Sequence, residues 1–152
     1  MDKTYNALDI ARFVINYSDE KFNPISNLQL QKILYYIQSA FLVEKDRSCF
    51  NENIINWSYG PVIEEVYREF RTYGSRPLPK QSAYKTVKYD MKKAEFVLEE
   101  NDFKSDFIEE KDKSLIKKIA DIYSNMDPFD LVNKTHCEDP WSKTNQNDVI
   151  EI

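Results

Sequence analysis

Glycine is nearly absent from this sequence: Gly60 and Gly74 are the only two in 152 residues. A loop that cradles phosphate with successive backbone amides needs several glycines close together. Neither a GxxxxGK[ST] loop nor a GxGxxG turn exists here, which argues against nucleotide-dependent catalysis. Histidine occurs once, as His136, and cysteine twice, as Cys49 and Cys137. With no CxxC and no HExxH, the donor set for a zinc centre is missing, and no metal or other cofactor is expected. The opening Met1-Asp2-Lys3-Thr4-Tyr5 lacks the basic-then-apolar plan of a secretion signal. The two distant cysteines are therefore expected to be reduced thiols in a cytoplasmic protein. No apolar run is long enough to span a bilayer, so no membrane partner is expected. Basic residues are not in excess either: the net charge is −5. That balance argues against nucleic acid as the main partner while leaving room for a local basic patch.

What the chain does have is apolar and aromatic residue, 41% and 14% of its length, too much for a disordered polymer. Its length suits one domain with a substantial core. Asn6 to Asp19 has Ala7, Ile10, Ala11, Val14 and Tyr17 at helical spacing, with Asn6 as cap. Ser26 and Gln29 form a capping box that opens a helix over 27–45. Its apolar residues Ile33, Leu34, Ile37, Ala40 and Phe41, widened by Tyr35 and Tyr36, suit the centre of a domain. Ile54, Ile55 and Trp57 read as a short strand or extended arm. Pro61 suits the first position of a third helix, with Val66, Tyr67 and Phe70 buried and Gly74 at its end.

Residues 75–112 are harder to place. Pro77 and Pro79 break any helix. Tyr84 to Asp90 alternates like a strand, and Phe96-Val97-Leu98 fits a second strand or a short helix. Charge is segregated here. Lys80, Lys85, Lys88, Lys92 and Lys93 precede Glu99, Glu100, Asp102, Asp106, Glu109, Glu110 and Asp112. A solvated surface and a charged arm that docks a partner both fit. Helical spacing returns from Asp112, a candidate cap, to Asn125, and Asp127-Pro128 opens a short helix ending near Thr135-His136. The last residues, Ser142 to Ile152, are polar until Val149, Ile150 and Ile152, and this tail either frays or packs as one strand. The expected fold is mainly α, at the margin of α+β: a single compact helical domain over 1–152, with a short β element in the middle and 75–112 as an insertion-like region.

Chemistry is hard to find. His136-Cys137-Glu138-Asp139 has the parts of a thiol nucleophile system, but neighbours at one helix end point apart, and a His bonded to a backbone carbonyl fits better. Glu64, Glu65 and Glu69 have no histidine near them and read as solvated helix charges. Trp57, Tyr59 and Trp141 are the informative aromatics. Each suits a core, or a cleft where a ring with a polar handle meets a partner.

Three runs in order carry a resemblance: Leu28-Gln29-Leu30-Gln31-Lys32-Ile33-Leu34-Tyr35-Tyr36, then Trp57-Ser58-Tyr59-Gly60-Pro61-Val62, then Leu131-Val132-Asn133-Lys134-Thr135-His136 with Pro140-Trp141. In this order the chain resembles the Panacea domain family of SocA-like antitoxins and related phage-associated proteins, over roughly 5–74 and 115–142. The resemblance implies a non-enzymatic binding protein of a toxin–antitoxin system, whose partner is a cognate toxin protein neutralised by direct contact. It also implies a possible adaptor role toward a cellular protease. It supplies no catalytic residues. Trp57, Tyr59, Gly60, Pro61, His136, Pro140 and Trp141 match its motifs and are expected to shape or support one surface. The alternative from the residues is a DNA-binding regulator using a helix and the lysines between 80 and 93, or a phage-associated accessory protein.

Overall fold

The computed structural model describes residues 3–137 and 144–150. Its architecture follows the capping and spacing signals closely in the first half. Helix α1 spans Ala7–Glu20, with the Asn6 side chain accepting from the Leu8 amide. Helix α2 spans Asn27–Lys45 and opens with the complete Ser26–Gln29 capping box. It buries residues on most of its sides, Leu30, Ile33, Leu34, Tyr35, Ile37 and Phe41 among them. Such all-round burial marks a central helix. Helices α1, α3 (Glu64–Phe70), α4 (Glu110–Tyr123) and α5 (Pro128–His136) all pack against it. Among the described residues no helix is long and apolar enough to cross a membrane.

The stretch after α2 forms the short strand that was one of its two expected states, followed by a second strand where a helix start was expected. Strand β1 (Ile55–Trp57) pairs antiparallel with β2 (Gly60–Val62), and Ser58-Tyr59 make the turn. Pro61 is thus a strand residue, not the first residue of the third helix, which begins at Glu64. Two partners hold it there: its carbonyl accepts from Lys32 Nζ at 3.0 Å, and the next amide but one, of Ile63, donates to Gln31 Oε1 at 2.9 Å. A side chain of α2 thereby satisfies the orphan amide ahead of α3 that no local cap serves. Gly74 ends the 3₁₀ turn after α3 at φ +58° and ψ −127°, a positive-φ conformation that suits glycine but is not the left-handed helical cap expected of it. Val149 bridges Ile55, and the buried Ile150 donates its amide to the Ile54 carbonyl, so this part of the tail packs along β1.

The middle region holds more β structure than expected. Strands β3 (Ala83–Asp90) and β4 (Glu95–Asp102) form an antiparallel ribbon in which Lys85 faces Glu100, Val87 faces Leu98 and Tyr89 faces Phe96. Phe96-Val97-Leu98 is therefore strand. With five helices and two small antiparallel sheets among the described residues, the fold is compatible with a mainly helical class but contains two hairpins where one short element was expected.

Asp112 departs from its expected role. Helix α4 starts at Glu110, and Asp112 lies fully buried inside its first turn instead of capping it. Its carboxylate accepts from Tyr5 Oη at 2.6 Å, from Lys45 Nζ at 2.5 Å and from Arg47 at 2.6 and 2.7 Å. Burial raises its pKa, but the three donors overcome that and hold it down to about 2. The acidic run is thus not one solvated strip: its final residue is an internal tie between the N-terminal segment, the end of α2 and α4.

A candidate partner-binding cleft

The β1–β2 turn stands over the N-terminal half of α2, and a cleft of about 500 Å³ opens beside it. Trp57 forms one wall. Its indole meets the Tyr67 ring of α3 edge-on, with centroids 5.0 Å apart at 77°. Tyr59, at the turn, is 61% exposed. Leu28 and Val62 add apolar surface, Arg71 and Ser75 come from the segment after α3, and Gln146 and Asn147 close the far side. The latter pair is held in place by Asn56, whose carbonyl accepts from the Asn147 amide and whose amide donates to the Asp148 carbonyl.

The floor is polar but internally satisfied. Gln31 donates to Asn27 Oδ1 at 2.9 Å, and Asn27 donates to the Tyr67 carbonyl at 3.2 Å. Both amides are buried, and a buried amide that has its partners fixes the geometry around it. α2, the hairpin and α3 are thus joined through two side chains of one helix face.

Behind the turn the three sequence runs meet. Gly60 has φ +104°, where a side chain is strained. A Cβ there would lie 2.8 Å from Thr135 Oγ1 and 3.0 Å from Lys32 Cε. Helix α5 therefore reaches the hairpin through Thr135. His136 follows, hydrogen-bonded to the Ser58 backbone. Burial and the Lys32 charge push its pKa down, with the Ser58 bond opposing them. Lys32 itself is fully buried, and no carboxylate among the described residues pairs with it. Loss of hydration pushes its ammonium down to about 7.

Five of the seven residues singled out from sequence are in the described set. Trp57 and Tyr59 line the cleft, while Gly60, Pro61 and His136 support its turn from behind. Pro140 and Trp141 lie outside the described residues. Sequence reasoning missed Asn27, Gln31, Lys32, Tyr67 and Arg71 as parts of this site. One signal was available: a lysine and two glutamines inside an otherwise apolar helix, as in Leu28-Gln29-Leu30-Gln31-Lys32-Ile33-Leu34, require buried partners. Cys137 is exposed and Cys49 buried, and both are free thiols.

The family model described as "Antitoxin SocA-like, Panacea domain" matches residues 30–142, most of the chain and all three runs but for the first two residues of the first. A curated relative, "Antitoxin SocA" of Caulobacter vibrioides (strain NA1000 / CB15N), is 35% identical over 89 residues, covering 59% of this chain. The match spans 45% of that relative's own length. No solved structure matches.

Proposed function

Since this chain belongs to the SocA-like antitoxin, Panacea domain family, we propose that it is an antitoxin that neutralises a cognate toxin by binding it directly, without catalysis, and that the cleft beside Trp57 holds part of the toxin. One observation carries the assignment of the surface. Among the described residues that bear the family resemblance, Lys32, Trp57, Tyr59, Gly60, Pro61, Thr135 and His136 are scattered over more than a hundred positions, yet they gather around one turn and the cleft next to it. The chemistry of the cleft suits a protein partner. Trp57, Tyr59 and Tyr67 offer large rings with polar handles, the kind of side chain that dominates interface energetics, and Arg71 adds a charged donor at the rim. A toxin segment with one apolar anchor side chain and backbone carbonyls nearby would use all of them.

The test is a growth rescue. Toxin and antitoxin are commonly encoded side by side, so the adjacent open reading frame is expressed alone, then with this protein, then with Trp57→Ala. The variant's folding is checked by circular dichroism and thermal melting. The expected result is toxicity, rescue by the wild type, and weakened binding by folded Trp57→Ala of at least about 30-fold, the loss of one interface anchor worth ~2 kcal/mol. A harmless neighbour, or failure of soluble wild-type protein to rescue, refutes the antitoxin reading. Full rescue and unchanged affinity with Trp57→Ala and Tyr59→Ala together refute the cleft as the working surface.

A further inference from the structure

The β3–β4 ribbon carries the largest unpartnered apolar face among the described residues. Val87, Tyr89, Phe96 and Leu98 share one side, Met91 sits at the tip, and Phe96 and Leu98 are 73% and 69% exposed. The Tyr89 and Phe96 rings touch edge-on at 5.2 Å, which confirms that these cross-strand neighbours point the same way. The other side is polar apart from the half-buried Val97, and it faces the body at its base. Lys88 pairs with Glu99, Asn101 donates to Thr86, and the Tyr84 ring lies under the Arg12 guanidinium of α1 at 4.2 Å. The apolar side is therefore turned away from the rest of the chain. A two-stranded ribbon with an uncovered apolar face is marginal in water and gains most from a cover.

We propose that the cover is a second copy of this chain: two β3–β4 ribbons pack face to face about a two-fold axis that runs along the strands. The charge pattern selects this occupant and this orientation. On the apolar face the register sets Lys85 of β3 beside Glu100 of β4. A two-fold axis along the strands lays β3 of one copy over β4 of the other. Lys85 then stands over the second copy's Glu100 and Glu100 over its Lys85, with Val87 over Leu98 and Tyr89 over Phe96 between the charges and the tip. A two-fold axis across the strands lays β3 over β3 and puts these charges over apolar positions. Edge-to-edge pairing about a two-fold axis leaves the apolar face uncovered, whichever register its charges take. Isologous contacts must be self-complementary, and the first arrangement is the one that both covers the apolar face and pairs its charges. The Tyr84–Arg12 stack keeps each body on the far side of its own ribbon, so the bodies do not obstruct it.

Eight residues per strand give a face about 27 Å long, roughly 400 Å² per copy, half of a standard interface. A weak dimer is expected, with Kd on the order of 10–100 µM. Sedimentation velocity on the full chain reads it directly. The wild type is expected to double its mass over that concentration range, while Phe96→Ser with Leu98→Ser stays monomeric with unchanged circular dichroism. The decisive comparison uses Lys85→Glu and Glu100→Lys. Each alone faces like charge across the interface and is expected to weaken association about tenfold. An equimolar mixture of the two restores it, because each copy then offers the other opposite charges, and no change within one ribbon can produce that rescue. A wild type monomeric throughout overturns the proposal, as does a dimer indifferent to the serine pair. A mixture no better than its components overturns it too. A monomeric wild type whose serine pair loses toxin binding would reassign the face to the toxin, leaving the cleft to be judged by the growth rescue.

Discussion

Lys32 gives the sharpest quantitative test of the buried site. Its ammonium is fully buried against the Pro61 carbonyl, and its pKa falls from 10.5 to about 7. The unfolded chain then binds a proton more strongly than the folded one between pH 7 and 10.5. Stability must rise with pH across that window, by about 1.4 kcal/mol per unit from this group alone. Below pH 7 the full penalty is present, on the order of 4–5 kcal/mol, and above 10.5 it is gone. Lys32→Met keeps the length and removes the charge, but it also strands the Pro61 carbonyl, which costs about 1–3 kcal/mol. At pH 7 the variant is expected to be more stable than the wild type by roughly 1–3 kcal/mol, the penalty relieved less the bond lost. That advantage should shrink by about 1.4 kcal/mol per pH unit and reverse between about pH 8 and 9. Urea denaturation of both proteins at pH 7, 8, 9 and 10 measures it, and the difference between the two cancels the titrating groups that Lys32 does not touch; His136, which it does touch, is held below its ordinary 6.5 and so below this window. A stability difference that stays flat from pH 7 to 10 would refute the reasoning, because it would mean that Lys32 keeps its charge and its solvation after folding.

Asp112→Asn leaves Arg47 and Lys45 without their carboxylate and is expected to cost about 3–5 kcal/mol, seen as a fall in Tm of roughly 10 °C. For the wild type the folded carboxyl pKa of about 2 lies below its ordinary 3.8. The contribution of Asp112 is therefore complete above pH 4 and lost as pH falls toward 2, which acid titration followed by circular dichroism will read. Gly60→Ala meets both a positive φ and two atoms at 3.0 Å or less. A loss of at least ~2 kcal/mol is expected, together with a change in Trp57 fluorescence as the turn shifts; an unchanged Tm would show that the turn yields freely. Gln31→Leu removes the acceptor for the Ile63 amide and the donor to Asn27, with an expected cost of about 2–4 kcal/mol by urea midpoint.

Much of this fold was legible because its signals are local. Asn6, the Ser26–Gln29 box and Gly74 mark their helix ends through bonds or dihedrals that reach no further than three residues. Two of the departures have causes distant in the chain. Pro61 satisfies the sequence rule for a helix start, but Lys32 and Gln31, thirty residues earlier, claim the carbonyl and the amide that decide the backbone there. Asp112 likewise has a cap's composition but takes three donors from Tyr5, Lys45 and Arg47. The site divides in the same way. Trp57 and Tyr59 announce themselves as rings beside a turn, whereas Asn27, Gln31 and Arg71 become part of a surface only when α2 and α3 are brought together. The family resemblance helped because its runs compress those distant contacts into short strings.

The Asn56 carbonyl and amide that grip Asn147 and Asp148 also set the order in which the cleft is completed during synthesis. Its floor and aromatic wall are made from residues 27–75, but its far side waits for residues 146 and 147 to leave the ribosome. At about 5–20 residues per second, several seconds separate the two. The turn that carries Trp57 also waits, because Thr135 and His136 of α5 stand behind it. A partner that needs both walls of the cleft therefore meets them only on a chain whose synthesis has passed residue 147.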